Sequence, residues 1–251
     1  MAKYGDRTIL QGIDVGVQPG EIRVILGGSG SGKSTLLKHM IGMIAPHSGS
    51  VHLLGEPLDG LGEAERESLL RRVGVLFQGS ALLNSLTVHE NVALPLRQDP
   101  NLPDDVIDEI VRMKLALVEL SHAHELYPSE LSGGMKKRAG LARAMALDPE
   151  VLFCDEPSAG LDPITAAQLD ELLIALRDRF RMSVVVVTHE LASVEFISDR
   201  VVMLHKGHII ADGSLDAVRS TDHPMVRAFF DREAELEPPP KSVLASLGAQ
   251  S

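Results

Sequence analysis

A glycine-rich stretch ending in Gly-Lys-Ser constrains the fold of this chain more than any other part of its sequence. It follows an apolar, β-branched run at Ile22–Leu26 and precedes a helical pattern. Strand, loop and helix therefore occur in the order in which the pattern G-x-x-x-x-G-K-[ST] binds phosphate. This stretch, the phosphate loop, reads Gly27, Gly28, Ser29, Gly30, Ser31, Gly32, Lys33, Ser34 and Thr35.

The composition of the phosphate loop suits this chemistry. Glycines allow backbone conformations that a Cβ atom forbids, so successive N–H groups can converge on phosphate oxygens. The N-terminus of the following helix adds free donors and a positive dipole end. Lys33 is predicted to reach the β- and γ-phosphates, the Ser34 hydroxyl to ligate Mg²⁺, and Thr35 to contact the α-phosphate. The alternative, a flexible glycine-serine linker, does not require Gly-Lys-Ser between a strand and a helix.

A second apolar strand ends in two carboxylates, Asp155 and Glu156. Asp155 is predicted to hold Mg²⁺, directly or through a water molecule, as the Walker-B aspartate of phosphate-loop enzymes does. Glu156 is predicted to polarise a water molecule for attack on the γ-phosphate. An Asp-Glu pair alone is common in loops, but after a phosphate loop it predicts binding and hydrolysis of ATP. Cys154, in the apolar strand, is interpreted as buried packing.

Another pair of glycines precedes a basic helical run at residues 136–138. The segment, here named the signature segment, consists of Leu131, Ser132, Gly133, Gly134 and Met135. Glycines before a helix make an N-terminus that accepts anions, and the Ser132 hydroxyl adds a donor. The chain thus carries two phosphate-binding helix ends, which need not serve the same nucleotide in the same subunit.

Apolar runs that alternate with helical patterns indicate an α/β fold with a largely parallel sheet. The predicted strands are 22–26, 73–77, 151–154, 184–187 and 201–204, and the predicted helices are 34–43, 104–120, 133–147, 165–180 and 191–197. Residues 85–147 lack a convincing strand and are expected to form a helical subdomain inserted in the core. Gly207 predicts a hairpin between 201–204 and 208–211, an antiparallel addition to the sheet.

Composition excludes several classes of function. A net charge of −11 argues against a nucleic-acid binder, because such affinity rests on clustered Lys and Arg. No stretch approaches the roughly 18 apolar residues of a membrane span, and the N-terminus lacks the apolar centre of a signal peptide. One cysteine cannot form an internal disulfide, which favours a reducing cytoplasm. We expect a soluble chain that reaches a membrane only through partner polypeptides.

The motifs occur in the order found in the ATPases of ATP-binding cassette (ABC) transporters, which this chain resembles from Tyr4 to about Gly213. The matching features are the phosphate loop, Gln78, the signature segment, Asp155-Glu156, residues 158–162 and His189. The resemblance implies the ABC ATPase fold: a P-loop NTPase (RecA-like) core with a mainly parallel sheet, an antiparallel β region and an inserted helical subdomain. It also implies that two copies pair head to tail. Each ATP then lies between the phosphate loop of one copy and Ser132, Gly133 and Gly134 of the other.

Further roles follow from the resemblance at single positions. Tyr4 matches the aromatic residue that stacks on adenine, although in the family more strand residues precede that position; the alternative is an incidental tyrosine. Gln78 matches the glutamine that contacts Mg²⁺ or water, in a segment that responds to the membrane partner. His189 matches the histidine that senses the γ-phosphate, and Asp162 belongs to the loop that communicates between the two sites.

Several segments resemble one group of ABC ATPases, the maintenance-of-lipid-asymmetry type that serves mammalian-cell-entry (Mce) proteins. Met135 is the most informative position, because most ABC signatures have glutamine there. The matching segments are 76–82, 86–92, 127–135 and 161–165. Two departures are the order Gly79-Ser80, where the group more often has Ser-Gly, and Gly28 in place of a common proline. The resemblance implies phospholipid transport, permease subunits, an Mce-type substrate-binding protein and a place on the cytoplasmic face of the inner membrane.

Alternatives of other classes remain. An ABC importer or exporter ATPase for another substrate would carry the same motifs. A soluble ABC ATPase of DNA repair or translation usually has two cassettes or a coiled coil, and this chain has one cassette and no heptads. A small-molecule kinase would not need the signature segment.

The expected domain spans residues 1–232, followed by a tail at 233–251 with three consecutive prolines, which cannot continue a helix. Two interpretations of the tail stay open. It is either a solvated, disordered terminus or, as in lipid-type relatives, an extension that reaches the neighbouring subunit. In the second case Val226, Phe229 and Phe230 could anchor it.

Overall fold

The computed structural model of this chain describes residues 1–4 and 7–234. Its strands are β1 (Ala2–Tyr4), β2 (Arg7–Leu10), β3 (Ile22–Leu26), β4 (His52–Leu53), β5 (Glu56–Pro57), β6 (Val73–Leu76), β7 (Val151–Asp155), β8 (Ser183–Thr188), β9 (Arg200–His205) and β10 (His208–Gly213). Its α-helices are α1 (Lys33–Met40), α2 (Glu63–Leu70), α3 (Val88–Ala93), α4 (Asp104–Leu117), α5 (Gly133–Ala144), α6 (Pro163–Phe180), α7 (Leu191–Ile197), α8 (Leu215–Arg219) and α9 (Pro224–Ala234). Single 3₁₀ turns lie at Leu96–Gln98, Ser121–Ala123 and Pro128–Glu130.

Six of these strands form one sheet in the order β10-β9-β3-β8-β7-β6. All neighbours in it are parallel except β10, which returns antiparallel beside β9 across the turn at Gly207. Strands β1 and β2, and strands β4 and β5, form separate antiparallel pairs. The predicted α/β fold, with a mainly parallel sheet and an antiparallel part, is confirmed.

Both faces of the large sheet are covered, which is why its central strands are apolar throughout. Along β3, Ile22, Val24 and Leu26 face one hydrophobic core, which also contains residues of α3 to α6. Ile25 faces the other core with Leu36 and other residues of α1. The exception is Arg23, which is 2% exposed and forms an ion pair of 2.6 Å with Asp212 of β10.

The chain between β6 and β7 is helical. It contains α3, α4 and α5, and no strand is assigned in it. The helix that carries the signature segment, α5, packs on β6 and on α3 and α4. The region predicted as a helical subdomain, 85–147, corresponds to these helices. In the part of the chain that the structure describes, no helix is long and apolar enough to cross a membrane.

Some boundaries differ from the sequence-based predictions. Helices α1, α4 and α5 end before residues 43, 120 and 147, because the chain turns at Ile41, Val118 and Met145. Helix α9 continues to Ala234, past the predicted start of the tail at 233. The remainder of the tail, 235–251, lies outside the described residues.

The sheet brings the predicted functional residues to one edge. Strands β3, β6, β7 and β8 are parallel, so their carboxyl ends lie on the same side. The phosphate loop follows β3, Gln78 follows β6, Glu156 follows β7 and His189 follows β8. In open α/β sheets this edge is where ligands bind.

Candidate active site

The phosphate loop is braced by the hairpin of β9 and β10. Gly27 has a φ of 155°, and a Cβ atom there would lie 2.4 Å from the backbone oxygen of Leu204, so no larger residue fits. The Gly207 amide donates to the Ser31 carbonyl oxygen at 3.0 Å, and the Ser31 amide donates to that of Gly28 at 3.2 Å. The loop therefore has a fixed shape before helix α1 begins at Lys33.

Lys33 is buried at the base of this loop. Its side chain is 9% exposed, and its Nζ donates to the carbonyl oxygens of Gly27 at 2.7 Å and Gly28 at 3.3 Å. Burial lowers the pKa of Lys33, and the carboxylates of Glu156 and Asp155 oppose that shift. The loop thus holds a cation near the predicted metal ligand Asp155 and the predicted base Glu156, where it can neutralise phosphate charge.

Asp155, at the end of β7, has the environment expected of a metal ligand. Its Oδ1 atom is buried and has no hydrogen-bond partner. Burial, and then the charge of Glu156, raise the pKa of Asp155. A buried carboxylate oxygen without a partner fits a divalent cation, and the Ser34 hydroxyl lies in the first turn of α1. Among the described residues, no group of three or more His, Cys, Asp and Glu is placed so that it could hold a metal ion by itself.

Glu156 is held by its backbone as well as by its side chain. It is 8% exposed and has a φ of 48°, a left-handed conformation that a residue with a Cβ atom rarely adopts. Its amide donates to the Val187 carbonyl oxygen at 2.8 Å. Strain of this kind persists only where surrounding contacts fix the residue, and it is concentrated at functional sites.

The side chains of Glu156 and His189 form a pair. His189 Nδ1 lies 2.8 Å from Oε2 and 2.9 Å from Oε1 of Glu156. An ionised carboxylate only accepts, so Nδ1 donates, and in the neutral ring Nε2 then remains as an acceptor. The imidazole is more than half exposed, whereas the carboxylate is buried. Sequence motifs identified both residues but did not predict that they contact each other.

Gln78 lies at the same edge of the sheet, and the group that makes its described hydrogen bond is its backbone carbonyl. Its carbonyl oxygen accepts a hydrogen bond of 2.6 Å from Lys137 Nζ, which also donates to the Glu156 carbonyl oxygen at 2.9 Å. Sequence reasoning placed Lys137 only in a basic run. Its spacing from Gly140, Leu141 and Ala144 on one face of α5 was the available signal that this lysine points into the protein.

The signature segment is separate from the phosphate loop within one chain. Ser132 and Gly133 are exposed at the N-terminus of α5, where the Ser132 Oγ accepts from the Met135 amide at 3.3 Å. Among the described residues, no hydrogen bond joins this segment to the phosphate loop. The structure thus brings Lys33, Asp155, Glu156 and His189 to one place and leaves Ser132, Gly133 and Gly134 outside it.

A buried polar cluster lies behind the site. Asp170 of α6 is 3% exposed, hydrogen-bonds Ser193 of α7, and has an Oδ1 atom without a partner. Burial raises its pKa to about 6. Ser193 Oγ also lies 3.4 Å from Ser158 Oγ. The cluster connects the loop of residues 158–162 to the helix that follows His189.

Two further predicted residues need separate mention. The backbone of Tyr4 belongs to β1, but its side chain lies outside the described residues, so adenine stacking stays a prediction. Asp162 caps helix α6, since its carboxylate accepts from the amides of Ile164 and Thr165 at 3.1 Å and from the Thr165 hydroxyl at 2.6 Å.

One cavity of the described residues lies away from this site. It measures about 1140 Å³ and is lined by residues from the N-terminal strands, α1 and the start of β7, among them Leu10, Leu36 and Phe153. Among its described lining residues, none is predicted to bind or hydrolyse nucleotide.

Comparison with known proteins identifies relatives. The family model described as ABC transporter matches residues 10–159. The intermembrane phospholipid transport system ATP-binding protein MlaF of Escherichia coli K12 is 40% identical over 231 residues, 92% of this chain and 86% of MlaF. The probable ribonucleotide transport ATP-binding protein mkl of Mycobacterium tuberculosis H37Rv is 37% identical over 228 residues. That match covers 91% of this chain but only 64% of mkl.

Solved structures with this fold include a cassette in a dimer. The dimeric structure of a post-hydrolysis state of the ATP-binding cassette MJ0796, bound to ADP and Pi, has a TM-score of 0.77 at 30% identity, covering 85% of this chain and 94% of that one. CbiO1 from Clostridium perfringens, part of the ABC transporter complex cbiONQ, has a TM-score of 0.80 at 29% identity, covering 97% and 95%.

Proposed function

This chain belongs to the ABC transporter family, and we propose that it is the ATP-hydrolysing subunit of a transporter that moves phospholipid between membranes. One arrangement carries the proposal for hydrolysis: Lys33, Asp155, Glu156 and His189 meet at the carboxyl edge of a single sheet. That edge combines a phosphate-binding loop, a carboxylate oxygen without a partner and a positioned base.

In the proposed reaction Glu156 accepts a proton from a water molecule as the water oxygen attacks the γ-phosphorus. The bond to the β–γ bridging oxygen breaks, and ADP and phosphate result. Lys33 and the loop amides stabilise charge on the phosphate oxygens. The His189 imidazole orients the Glu156 carboxylate and lies exposed beside it.

Asp155 and Ser34, with Gln78 as a further candidate, would hold Mg²⁺, which when bound neutralises phosphate charge. The support is the Asp155 Oδ1 atom, buried and without a hydrogen-bond partner. Besides the attacking water, the proposed reaction requires ATP and Mg²⁺.

A second copy of the chain completes each site in this proposal. Ser132 and Gly133 are exposed, Gly134 is half-buried, and no described hydrogen bond joins them to the phosphate loop of their own chain. In a head-to-tail dimer the three would therefore contact the γ-phosphate bound by the partner subunit. Support comes from the exposed helix N-terminus at α5 and from the dimeric, ADP-bound relative.

The transported substrate is the finer part of the proposal. Phospholipid is favoured because MlaF, whose name states phospholipid transport, is matched over 86% of its length. The name of mkl states ribonucleotide transport, which makes a nucleotide the rival cargo. The chain would sit on the cytoplasmic face of the inner membrane, bound to permease subunits and to an Mce-type substrate-binding protein.

Capture from the native membrane tests this proposal. A tagged chain is purified in mild detergent, its partners are identified by mass spectrometry, and phosphate release is measured in lipid nanodiscs. We expect a multi-span permease, an Mce-type protein and bound phospholipid. Co-purification of a sugar-, amino-acid- or nucleotide-type permease would overturn the lipid assignment while sparing hydrolysis. Absence of ATP-dependent phosphate release from the purified complex would overturn hydrolysis itself.

A further inference from the structure

One face of helix α5 lies directly on the loop that follows β6. A Cβ atom at Gly140 would lie 2.9 Å from Leu76 Cδ1 and 3.2 Å from the Ser80 carbonyl oxygen, so helix and loop are in close contact. One turn earlier on the same face is Lys137, and one turn later is Arg143. Both cations donate to carbonyl oxygens of the loop rather than to carboxylates.

Lys137 joins two separate loops. Its side chain is 6% exposed, and its ammonium group donates to the carbonyl oxygen of Gln78 at 2.6 Å and to that of Glu156 at 2.9 Å. Burying an ammonium group disfavours its charge, and burial does lower the pKa of Lys137. A group retained at this cost is held by the carbonyls that it bonds.

Arg143 joins only one of these loops. Its guanidinium group donates to the carbonyl oxygens of Ala81 at 2.6 Å and Ser80 at 2.8 Å. Both residues have left-handed backbones, with φ of 48° at Ala81 and 60° at Ser80. Arg143 therefore fixes a strained turn in residues 78–81, in the same way that Lys137 fixes Glu156, but it makes no contact with Glu156.

The contact matters because Glu156 itself is strained. Its left-handed backbone is held on one side by the bond from its amide to Val187. On the other side its carbonyl oxygen accepts from Lys137 at 2.9 Å and, more weakly, from the Ala159 amide at 3.3 Å. Without the ammonium group, the shorter of the two hydrogen bonds to this carbonyl oxygen is lost. A small displacement of a catalytic group costs rate rather than substrate binding.

We propose that Lys137 is a positioning residue for hydrolysis, which links the carboxylate base Glu156 to residues 78–81 through helix α5. Movement of α5, whose N-terminus is the signature segment, then reaches the catalytic residue through one ammonium group. The proposal rests on the proposed function, because it assigns Lys137 a part in ATP hydrolysis at that site.

The test compares Lys137→Met with Arg143→Met. Methionine has a similar length and no donor, so it fills the same space without the hydrogen bonds. For Lys137→Met we expect kcat for ATP to fall about 30-fold with KM changed less than about twofold. In Arg143→Met kcat falls less than about threefold, because Glu156 keeps its restraint. Lys137→Arg, which retains charge and donors, should recover most of the lost kcat.

Amide hydrogen exchange provides a readout that does not depend on hydrolysis. Lys137→Met should speed exchange in peptides covering residues 155–160 and 78–83, whereas Arg143→Met should speed it only in 78–83. In a Glu156→Gln background, Lys137→Met should cause no further loss of rate.

Three results would overturn the proposal: an unchanged kcat in Lys137→Met, equal losses in the two methionine variants, or unchanged exchange at 155–160. If the wild-type chain with its partners releases no phosphate, the proposed function fails. The exchange comparison then still decides whether Lys137 restrains Glu156.

Discussion

The N-termini of helices α1 and α5 both have the local features of a phosphate site, yet their surroundings differ. At α1 a buried lysine closes a braced loop, and Asp155 and Glu156 are close enough to act on the lysine electrostatically. At α5 the exposed Ser132 and Gly133 have no such carboxylates among their described hydrogen-bond partners.

From this difference we infer that the N-terminus of α1 serves hydrolysis, whereas the N-terminus of α5 serves only phosphate binding. A helix N-terminus attracts an anion wherever it occurs, but hydrolysis also requires a base and countercharge in fixed positions. Only the α1 end has these. The α5 end becomes useful when it meets a phosphate held elsewhere, which is the reason to expect two copies per working site.

The largest expected effect tests the chemistry of the α1 end. Glu156→Gln should lower kcat about 1000-fold, because the amide cannot accept a proton from water. ATP binding should persist, since Lys33 and the loop are untouched, and an ATP-stabilised dimer should appear in size-exclusion chromatography. Asp14→Asn, a change remote from the sheet edge, is a suitable control. Normal phosphate release by Glu156→Gln would remove Glu156 from its role.

The next largest effect tests whether the N-termini of α1 and α5 have different roles in ATP binding and hydrolysis. Ser132→Arg should lower kcat about 100-fold by blocking approach of the partner's phosphate, while ATP binding to the separate chain, measured by calorimetry, stays unchanged. Lys33→Ala should instead lose ATP binding, because the loop cation is gone.

Mixing these two inactive variants makes the test decisive. A mixed dimer contains one site with an intact phosphate loop from one chain and an intact signature segment from the other. Phosphate release should therefore reappear on mixing, up to half of the wild-type rate per mixed dimer. No recovery in a mixture shown to contain mixed dimers would mean that both ends act within one chain, and the contrast drawn above would be wrong.

A smaller effect is expected from changing His189, whose imidazole pairs with Glu156. His189→Ala should lower kcat at least about tenfold, because a hydrogen bond to a charged group contributes roughly 1.5 kcal/mol or more. His189→Gln, which keeps an N–H donor, should retain more activity than alanine under the same steady-state assay. Equal activity of the alanine variant and the wild type would show that the Glu156–His189 contact does not contribute to catalysis.

The smallest effect concerns the buried polar cluster of Asp170, Ser193 and Ser158. Asp170 has its pKa raised by burial to about 6, so the folded state binds this proton more tightly than the unfolded chain, whose carboxyl has a pKa of about 3.9. Its contribution to stability is fully present below about pH 4 and is lost as pH rises through about 6.

Asp170→Asn imitates the protonated carboxyl and should therefore stabilise the chain above pH 6, by at most about 3 kcal/mol. We expect Tm to rise by about 5 °C at pH 8 and by about half as much at pH 5, which lies between the two pKa values, measured by calorimetry on both proteins. A shift of the same size at both values would contradict the assigned cause, and Asp178→Asn on the exposed face of α6 serves as the control.

Sequence patterns predicted much of this fold because its main elements are locally unambiguous. The strands Ile22–Leu26 and Ser183–Thr188 are apolar and buried on both faces, which periodicity and composition detect. Helix α2 was not predicted, since only Leu69 of it is buried and no apolar stripe marks it. Short pairs such as β4 and β5 depend on tertiary contacts that no local pattern encodes.

Sequence motifs predicted which residues meet at the candidate site, but not which of them contact each other. Motifs identify Lys33, Glu156 and His189, because phosphate chemistry requires those residue types at those points of the chain. The left-handed backbone of Glu156 and its bond to Lys137 arise from packing between a helix and a strand end that are distant in sequence. The residue types alone predict neither this backbone conformation nor this hydrogen bond.

The brace at Gly27, pressed against Leu204, has a consequence for affinity. A loop that must become ordered on binding spends part of its interaction energy on lost backbone freedom. This loop is already tied to the β9–β10 hairpin through Ser31 and Gly207, so a nucleotide meets a preorganised surface and keeps more of the energy of each contact. Loosening that tie would weaken ATP binding without removing a single group that touches phosphate.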